Sequence, residues 1–289
     1  MKTQYKNTIK SIILVSITII FSSCFKKPEA IIYCNDTTGS PCELMHFYNR
    51  SEHAKKFHLD FGDNTSIDEE GTYGISHAYS EIGTYTVILT AYDRKIEKGD
   101  THTITVTITE NETGTFTDTR DGKIYKTVKI DNRVWMAENL NYDCGTGCYD
   151  YDNDTANSEI YGKLYDWETA NIVAPPDWHL PTKMEWEALS RFYGSSASGG
   201  ALKARGIDYW KSPNTGATNC SGFNALPGGY YNFPSLEIGT NCVFWTSEEN
   251  GASAVAVMLE YNDERIDILS FSQELGCSVR CISDELFLD

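Results

Sequence analysis

A nine-residue run decides the fold of the first part of the chain: Thr84-Tyr85-Thr86-Val87-Ile88-Leu89-Thr90-Ala91-Tyr92. The run is rich in β-branched and aromatic residues, which favour a strand. Residues 101–109 alternate threonine with isoleucine or valine, and residues 57–61 also alternate in type. The turn-forming residues Gly62-Asp63-Asn64-Thr65 follow. Short strands separated by turns predict a β-sandwich over residues 30–110.

Three motifs follow one another in this region: Asp60-Phe61-Gly62-Asp63-Asn64, His77-Ala78-Tyr79 and Gly83-Thr84-Tyr85-Thr86-Val87-Ile88-Leu89-Thr90. Together they resemble the PKD domain, an immunoglobulin-like β-sandwich. The resemblance implies a spacer or adhesion module rather than an enzyme. It also implies that Asp60 and Asp63 accept backbone hydrogen bonds in a turn, instead of forming a metal site or an acid pair.

The second half of the chain has a different composition, because all six tryptophans lie between Trp135 and Trp245. Residues 111–117 are polar and predict a linker between two domains. Residues 125–130 and 134–136, separated by turn residues, predict a hairpin. A helix is expected over 162–170, and Thr182 with Glu185 predicts a capping box that begins another. In that second helix the stripe Trp186, Leu189 and Phe192 is expected to be core.

A series of motifs, in order, carries a second resemblance. They are Asp121-Gly122 with Tyr125-Lys126-Thr127-Val128-Lys129-Ile130, Trp135-Met136-Ala137-Glu138-Asn139-Leu140-Asn141-Tyr142, Gly162-Lys163-Leu164-Tyr165-Asp166-Trp167, Trp178-His179-Leu180-Pro181-Thr182, Glu185-Trp186, Phe223-Asn224-Ala225-Leu226-Pro227-Gly228-Gly229, Phe244-Trp245-Thr246-Ser247 and Ser278-Val279-Arg280-Cys281. This stretch, residues 118–285, resembles the Fibrobacter succinogenes major paralogous domain. The resemblance implies a C-type-lectin-like α+β fold, with two helices on a mostly antiparallel sheet and a long loop region. It implies no particular biochemical activity.

The N-terminus has the pattern of an exported protein. Three lysines precede an apolar run at residues 12–21, which is too short to span a bilayer as a helix. The following Ile20-Phe21-Ser22-Ser23-Cys24 resembles the lipobox of bacterial lipoproteins. The resemblance implies removal of residues 1–23 and a lipid on Cys24, with 24–29 as a tether. The protein is then expected at a membrane of the cell envelope, the outer membrane in particular; the alternative is an ordinary signal peptide with an incidental cysteine.

The net charge of the chain excludes one class of binding partner. The formal net charge is -17, from 41 acidic and 24 basic residues. Phosphate groups are repelled by such a surface, so nucleic acid is excluded as a partner.

The chain has nine cysteines, so eight remain if Cys24 carries a lipid. An even number in an oxidising compartment predicts disulfides, and zinc is disfavoured because the spacings are not those of a zinc finger or ribbon. The candidates are Cys34, Cys42, Cys144, Cys148, Cys220, Cys242, Cys277 and Cys281. Nearness in sequence favours three pairs, 34 with 42, 144 with 148, and 220 with 242.

The remaining pair, Cys277 and Cys281, lies about 13 Å apart if residues 278–280 form a strand, so these two thiols do not bond to each other. Cys144 and Cys148 are then alternative partners for them. The resemblance to the paralogous domain adds that a cysteine is expected just before Pro-x-x-Trp178, where this chain has Val173-Ala174-Pro175-Pro176. By analogy with C-type lectins that cysteine would pair with Cys281, which therefore lacks its expected partner.

Two groups of residues are candidates for a binding site. Asp150, Asp152 and Asp154 place carboxylates at alternate positions, as calcium loops do, although the loop lacks the glycine and the final acid of an EF-hand. Calcium is the one cofactor this pattern suggests; the alternative is a solvated acidic insert. Tyr230, Tyr231 and Phe233 follow a glycine-rich turn and are expected to form an exposed ligand-binding face.

Other residues with catalytic or sugar-binding chemistry are expected to be structural. Trp135, Trp178 and Trp245 are assigned to the core, and His179 to a packed, hydrogen-bonded turn. The sugar-binding Glu-Pro-Asn and Trp-Asn-Asp signatures of calcium-dependent lectins do not occur in the sequence.

These observations predict a non-catalytic binding or adhesion module of the cell envelope, for polysaccharide or protein. The alternative is a carbohydrate-active or protein-modifying enzyme with a fold like that of the formylglycine-generating enzymes, in which Cys277 and Cys281 would be the redox-active pair.

Overall fold

The computed structural model describes residues 26–71, 74–93, 99–232 and 235–285. The first unit is built from strands β1 (Ile32–Cys34), β2 (Thr38–Gly39), β3 (Met45–Asn49), β4 (Lys56–Asp60), β5 (Ser66–Glu69), β6 (Gly74–His77), β7 (Gly83–Tyr92) and β8 (Asp100–Ile108). They form one sheet of order β1-β3-β6 and a second of order β2-β8-β7-β4-β5.

The two sheets of the first unit share one apolar core. Phe47 from the smaller sheet and Leu59, Val87, Leu89 and Val106 from the larger one are all at most 2% exposed. Their alternation with less buried neighbours follows the period of a strand that faces a core on one side. The predicted β-sandwich is therefore confirmed.

The turn after β4 uses both predicted aspartates. Asp60 Oδ1 accepts the Gly62 N–H at 2.8 Å, and Asp63 Oδ1 accepts the Thr65 N–H at 3.0 Å. Gly62 has φ +81°, and a Cβ there would lie 2.6 Å from the Thr86 carbonyl oxygen, so only glycine fits. The interpretation of these carboxylates as backbone acceptors is confirmed.

The second unit contains strands β9 (Thr113–Thr117), β10 (Ile124–Ile130), β11 (Arg133–Met136), β12 (Cys148–Tyr149), β13 (Leu164–Tyr165), β14 (Trp178–His179), β15 (Tyr230–Tyr231), β16 (Ser235–Leu236), β17 (Asn241–Asn250), β18 (Ser253–Glu260), β19 (Asp267–Ser272), β20 (Cys277–Ser278) and β21 (Ile282–Ser283). Its helices are α1 (Thr155–Tyr161), α2 (Trp167–Ala170), α3 (Lys183–Phe192) and α4 (Ser198–Leu202), with a 3-10 turn at Tyr151–Asn153.

The strands of the second unit form three sheets. One has the order β14-β21-β11-β10-β9, another β12-β13-β20-β17-β18-β19, and β15 pairs with β16 alone. The pairing is antiparallel except between β17 and β20. Helix α3 begins with the predicted capping box, in which Thr182 and Glu185 bond reciprocally. It buries Trp186 and Leu189 in the core, and burial of a leucine side chain contributes about 1.5–3 kcal/mol.

Two predicted segments have a different structure. Most of the expected linker 111–117 is strand β9, which pairs with β10 from Thr117 opposite Ile124 to Thr113 opposite Val128. The helix expected over 162–170 is confined to α2, because Leu164 and Tyr165 pair with β12 and β20 instead. Sheet pairing overrides the threefold spacing of apolar residues there.

A disulfide joins the two units, and it is not one of the expected pairs. Cys42 bonds to Cys220, with Cα atoms 6.0 Å apart. The expected pairs of Cys34 with Cys42 and of Cys220 with Cys242 are therefore wrong. The reason is tertiary: Cys34 points into the sandwich core and Cys242 into the core of the second unit, whereas the loop at Cys42 lies against the second unit. The Leu44 N–H also donates to the Phe192 carbonyl there at 2.9 Å.

Candidate functional site

Several of the sequence motifs converge on one cavity of the second unit, of about 280 Å³. It is lined by residues within the segments 123–125, 137–141, 158–162 and 224–226, together with Arg280. We call this cavity the motif pocket. Ligand sites are typically concave and carry a few convergent polar groups, which this cavity also has.

The floor of the motif pocket is a rigid polar network around Arg280 and Asn139. The guanidinium Nε and Nη2 donate to Asn139 Oδ1 at 3.0 and 2.6 Å, and Nη1 donates to the carbonyls of Met136 and Phe223. Asn139 Nδ2 in turn donates to the Tyr161 carbonyl at 2.8 Å. Each of these bonds lowers the cost of burying a polar group.

Arg280 is 1% exposed, and its guanidinium lies 4.3 Å from the centre of the Phe223 ring. Desolvation lowers its pKa to about 9. Among the described residues Arg280 forms no ion pair, so its charge is stabilised by amide and carbonyl oxygens and by the aromatic face. In the sequence Arg280 is visible only as part of a predicted strand, where a lone arginine between Val279 and Cys281 is the one signal of a special role.

The rim of the motif pocket is open and combines exposed apolar side chains with polar ones. Ile124 is 66% exposed and Ile160 is 47% exposed, and both line the cavity. Polar side chains of Asn141, Glu159 and Asn224 also line it. Fixed polar groups beneath exposed apolar side chains can orient a ligand and also bury part of its surface. The arrangement is suited to binding.

The predicted tyrosine face lies on another part of the second unit. Tyr231 stacks on Tyr149, with ring centroids 4.3 Å apart and planes 8° from parallel, and Tyr230 meets Phe271 edge-on at 6.0 Å. Both predicted tyrosines are half-buried rather than fully exposed. The third predicted residue, Phe233, lies outside the described residues. The structure does not place this face in the motif pocket.

The predicted calcium ligands have separate structural roles. Asp150 forms an ion pair with Lys163 at 2.7 Å and also accepts a hydrogen bond from Ser158, and these contacts lower its pKa despite partial burial. Asp154 caps α1 by accepting the Ala156 N–H at 3.0 Å. No group of three or more metal-binding side chains is found in the described parts of the chain. The structure therefore does not gather Asp150, Asp152 and Asp154 into a metal site.

Trp135, Trp245 and His179 have the structural roles expected of them, whereas Trp178 is only half-buried against the core. Trp135 and Trp245 are at most 2% exposed, and Trp178 stacks on Phe116 at 4.5 Å. His179 lies between Glu185, 3.1 Å from Nε2, and Asp284, 2.5 Å from Nδ1. Both acids raise the pKa of His179, with Glu185 the larger cause. The imidazole joins β14 to α3 and to the segment after β21.

The thiols proposed for an enzyme are poorly placed for chemistry. Cys277 and Cys281 are both fully buried, and desolvation raises the pKa of each, that of Cys281 to about 12. A catalytic cysteine instead needs a stabilised thiolate that substrate can reach. The enzymatic alternative therefore loses its candidate nucleophiles.

The fold and the pocket define a class of protein. Its members have an N-terminal β-sandwich followed by a unit of sheets and short helices, and this second unit contains a cavity with a polar floor. The family model of the Fibrobacter succinogenes major domain matches residues 128–283, which is more than half of the chain. The protein belongs to this family. A PKD domain model matches residues 28–108.

Solved structures resemble the chain only weakly. The PKD domain of an M14-like peptidase from a Thermoplasmatales archaeon is 17% identical, with TM-score 0.25, and the match covers 29% of this chain and 94% of that one. A structure on the promiscuous specificity of carbohydrate-binding modules of the β-sandwich superfamily is 18% identical, with TM-score 0.28, and the match covers 39% and 58%. A solution structure from Methanosarcina mazei is 17% identical, with TM-score 0.24, and the match covers 38% and 77%. TM-scores this low do not define the fold of this chain.

No curated protein matches the sequence. In the described parts of the chain, no helix has the length and apolar character needed to cross a membrane.

Proposed function

We propose that this protein is a non-catalytic binding or adhesion protein of the cell envelope. In this proposal a lipid on Cys24, which lies outside the described residues, anchors it to the outer membrane. The PKD-like unit acts as a spacer, and the second unit, with a C-type-lectin-like fold, binds a polysaccharide or protein ligand in the motif pocket. The observation that carries the proposal is the pocket, in which a hydrogen-bonded polar floor lies beneath a rim that exposes Ile124 and Ile160.

Binding is tested on glycan and protein arrays with three proteins that all carry Cys24→Ser. One has the wild-type pocket, and the others carry Ile124→Asp or Ile160→Asp. Both isoleucines are exposed, so an aspartate leaves the core intact while placing a charge on the rim. Ile172→Asp is the matched control, because Ile172 is 80% exposed and does not line the cavity. We expect bound ligands to be lost with both rim variants and kept with the control.

Tyr231→Ala separates the motif pocket from the predicted tyrosine face. Loss of binding with Tyr231→Ala and not with the rim variants would place the site at the tyrosines and contradict the pocket. The anchor is tested separately: labelled palmitate should enter the wild-type chain and not Cys24→Ala, and equal labelling of both would refute lipidation.

A further inference from the structure

Two partly exposed thiols face each other across a five-residue loop. Cys144 and Cys148 flank Gly145-Thr146-Gly147, in which both glycines have positive φ, +82° and +79°. The Cys144 N–H donates to Cys148 Sγ at 3.1 Å, and the Thr146 N–H donates back to the Cys144 carbonyl at 3.1 Å. The loop therefore turns back on itself and brings the second thiol to the start of the turn.

The turn is held in place by its surroundings. The Asp166 N–H donates to the Gly147 carbonyl at 2.9 Å, and a Cβ on Gly147 would collide with Thr169 and Asp166 at the start of α2. Burial and the neighbouring Cys148 raise the pKa of the Cys144 thiol to about 12. The contacts of Gly147 hold the turn against α2, with the Cys148 sulfur beside the Cys144 backbone amide.

The remaining free thiols are in a different environment. Cys34 is 6% exposed, and Cys242, Cys277 and Cys281 are 0% exposed. Each lies in an apolar core, where an oxidant in solution does not reach it. Among the unpaired cysteines that the structure describes, Cys144 and Cys148 are thus the two that solvent can reach.

We propose that Cys144 and Cys148 form a second disulfide, by exchange with a disulfide-bearing oxidant. The Cys148 thiolate attacks the oxidant, forming a mixed disulfide and releasing one of its thiols. The Cys144 thiol then loses its proton, attacks the Cys148 sulfur of the mixed disulfide and releases the second thiol. The chain loses two electrons and two protons, and the oxidant gains two thiols. Its occurrence in the cell rests on the export proposed above, whereas the chemistry itself rests on the geometry of the loop.

Closure of this loop would restrain the candidate tyrosine face. Tyr149 directly follows Cys148, and its ring carries the stacked ring of Tyr231. The strand that holds both Cys148 and Tyr149 is only two residues long, so few backbone bonds fix it. A disulfide at its first residue therefore fixes the position of the ring pair.

The test uses the Cys24→Ser chain, folded with oxidised and reduced glutathione, unfolded in guanidinium and labelled with N-ethylmaleimide. Of the eight remaining cysteines, the bond between Cys42 and Cys220 protects two, so we expect four labels per chain, whereas six would refute the proposal. Trypsin releases residues 134–163 as one peptide, which contains Cys144 and Cys148 and no other cysteine. We expect this peptide unlabelled and two hydrogens lighter than its reduced form.

A single substitution gives a second readout that does not depend on complete labelling. Cys148→Ser removes one cysteine but frees Cys144, so the number of labels should rise from four to five. The matched control Cys34→Ser removes a free thiol, so the number should fall from four to three. A fall with Cys148→Ser, or a disulfide from either cysteine to Cys277 or Cys281, would overturn the proposal. Failure of the array experiments would leave this result unchanged.

Discussion

Removing the bond between Cys42 and Cys220 is the perturbation with the largest expected effect on stability. The two residues are 178 positions apart, and no other covalent link of that reach joins the units in the described parts of the chain. A cross-link that closes a loop of this size lowers the entropy of the unfolded chain, and the loop-closure relation gives about 5 kcal/mol at 25 °C. We therefore expect Cys42→Ala/Cys220→Ala to lower the free energy of unfolding by about that amount.

The measurement is urea unfolding followed by tryptophan fluorescence and by far-UV circular dichroism. All six tryptophans lie between residues 135 and 245, so fluorescence reports the second unit, whereas dichroism reports both. At an m-value of about 3 kcal/mol/M, a loss of 5 kcal/mol lowers the midpoint by about 1.7 M. Cys34→Ala is the control, since it removes a buried thiol that bonds to no other cysteine.

Two results would refute this reasoning. If the double variant and the wild type unfold at the same midpoint without reductant, the disulfide does not constrain the unfolded chain. If Cys34→Ala lowers the midpoint as much as the double variant does, the loss reflects repacking and not loop closure. A variant whose two signals no longer coincide would instead support the reasoning, because the bond then couples the unfolding of the two units.

Three further predictions concern charged groups of the second unit. Because the pKa of His179 is raised in the folded state, its pairing with Glu185 stabilises the fold fully below about pH 6.5. This stabilisation is lost as pH rises through the folded-state pKa of His179. In thermal melts His179→Gln should therefore lower the melting temperature more at pH 5.5 than at pH 8.5. Lys203→Met should lower the free energy of unfolding in urea by about 3 kcal/mol, because three carbonyls around the buried ammonium lose their donor, and an unchanged midpoint would contradict this. Millimolar calcium should leave the melting temperature unchanged, because Asp150 is paired and Asp154 caps a helix; a rise of several degrees would show a metal site instead.

The elements that could be predicted are those set by local pattern. Alternation of apolar and polar residues gave the long strands β7 and β8, and the spacing of Thr182 and Glu185 gave the start of α3. The role of Asp63 also follows from its own turn. In each case the controlling interaction spans only a few residues, so the sequence contains it directly.

The elements that could not be predicted depend on contacts between distant residues. The bond between Cys42 and Cys220 reflects the packing of one unit on the other, which no spacing rule contains. The strand at Leu164 exists because one neighbouring strand on each side, β12 and β20, supplies hydrogen bonds. The motif pocket could be predicted only in part: its motifs were visible, but their convergence on Arg280 is a property of the fold.

The loop-rich segment between α4 and β17 shows how a chain of net charge -17 uses buried cations. Lys203 is fully buried, and its ammonium donates to the carbonyls of Thr215, Glu260 and Asp263 at 2.7–2.8 Å. Arg280 binds carbonyl and amide oxygens in the same manner. A carboxylate partner would satisfy only one direction around each cation, whereas carbonyls from separate segments connect those segments to each other. The buried cations thus connect the segments of this region where regular secondary structure is sparse, and Arg280 also holds part of the pocket floor in place through its bonds to Asn139 and to the carbonyls of Met136 and Phe223.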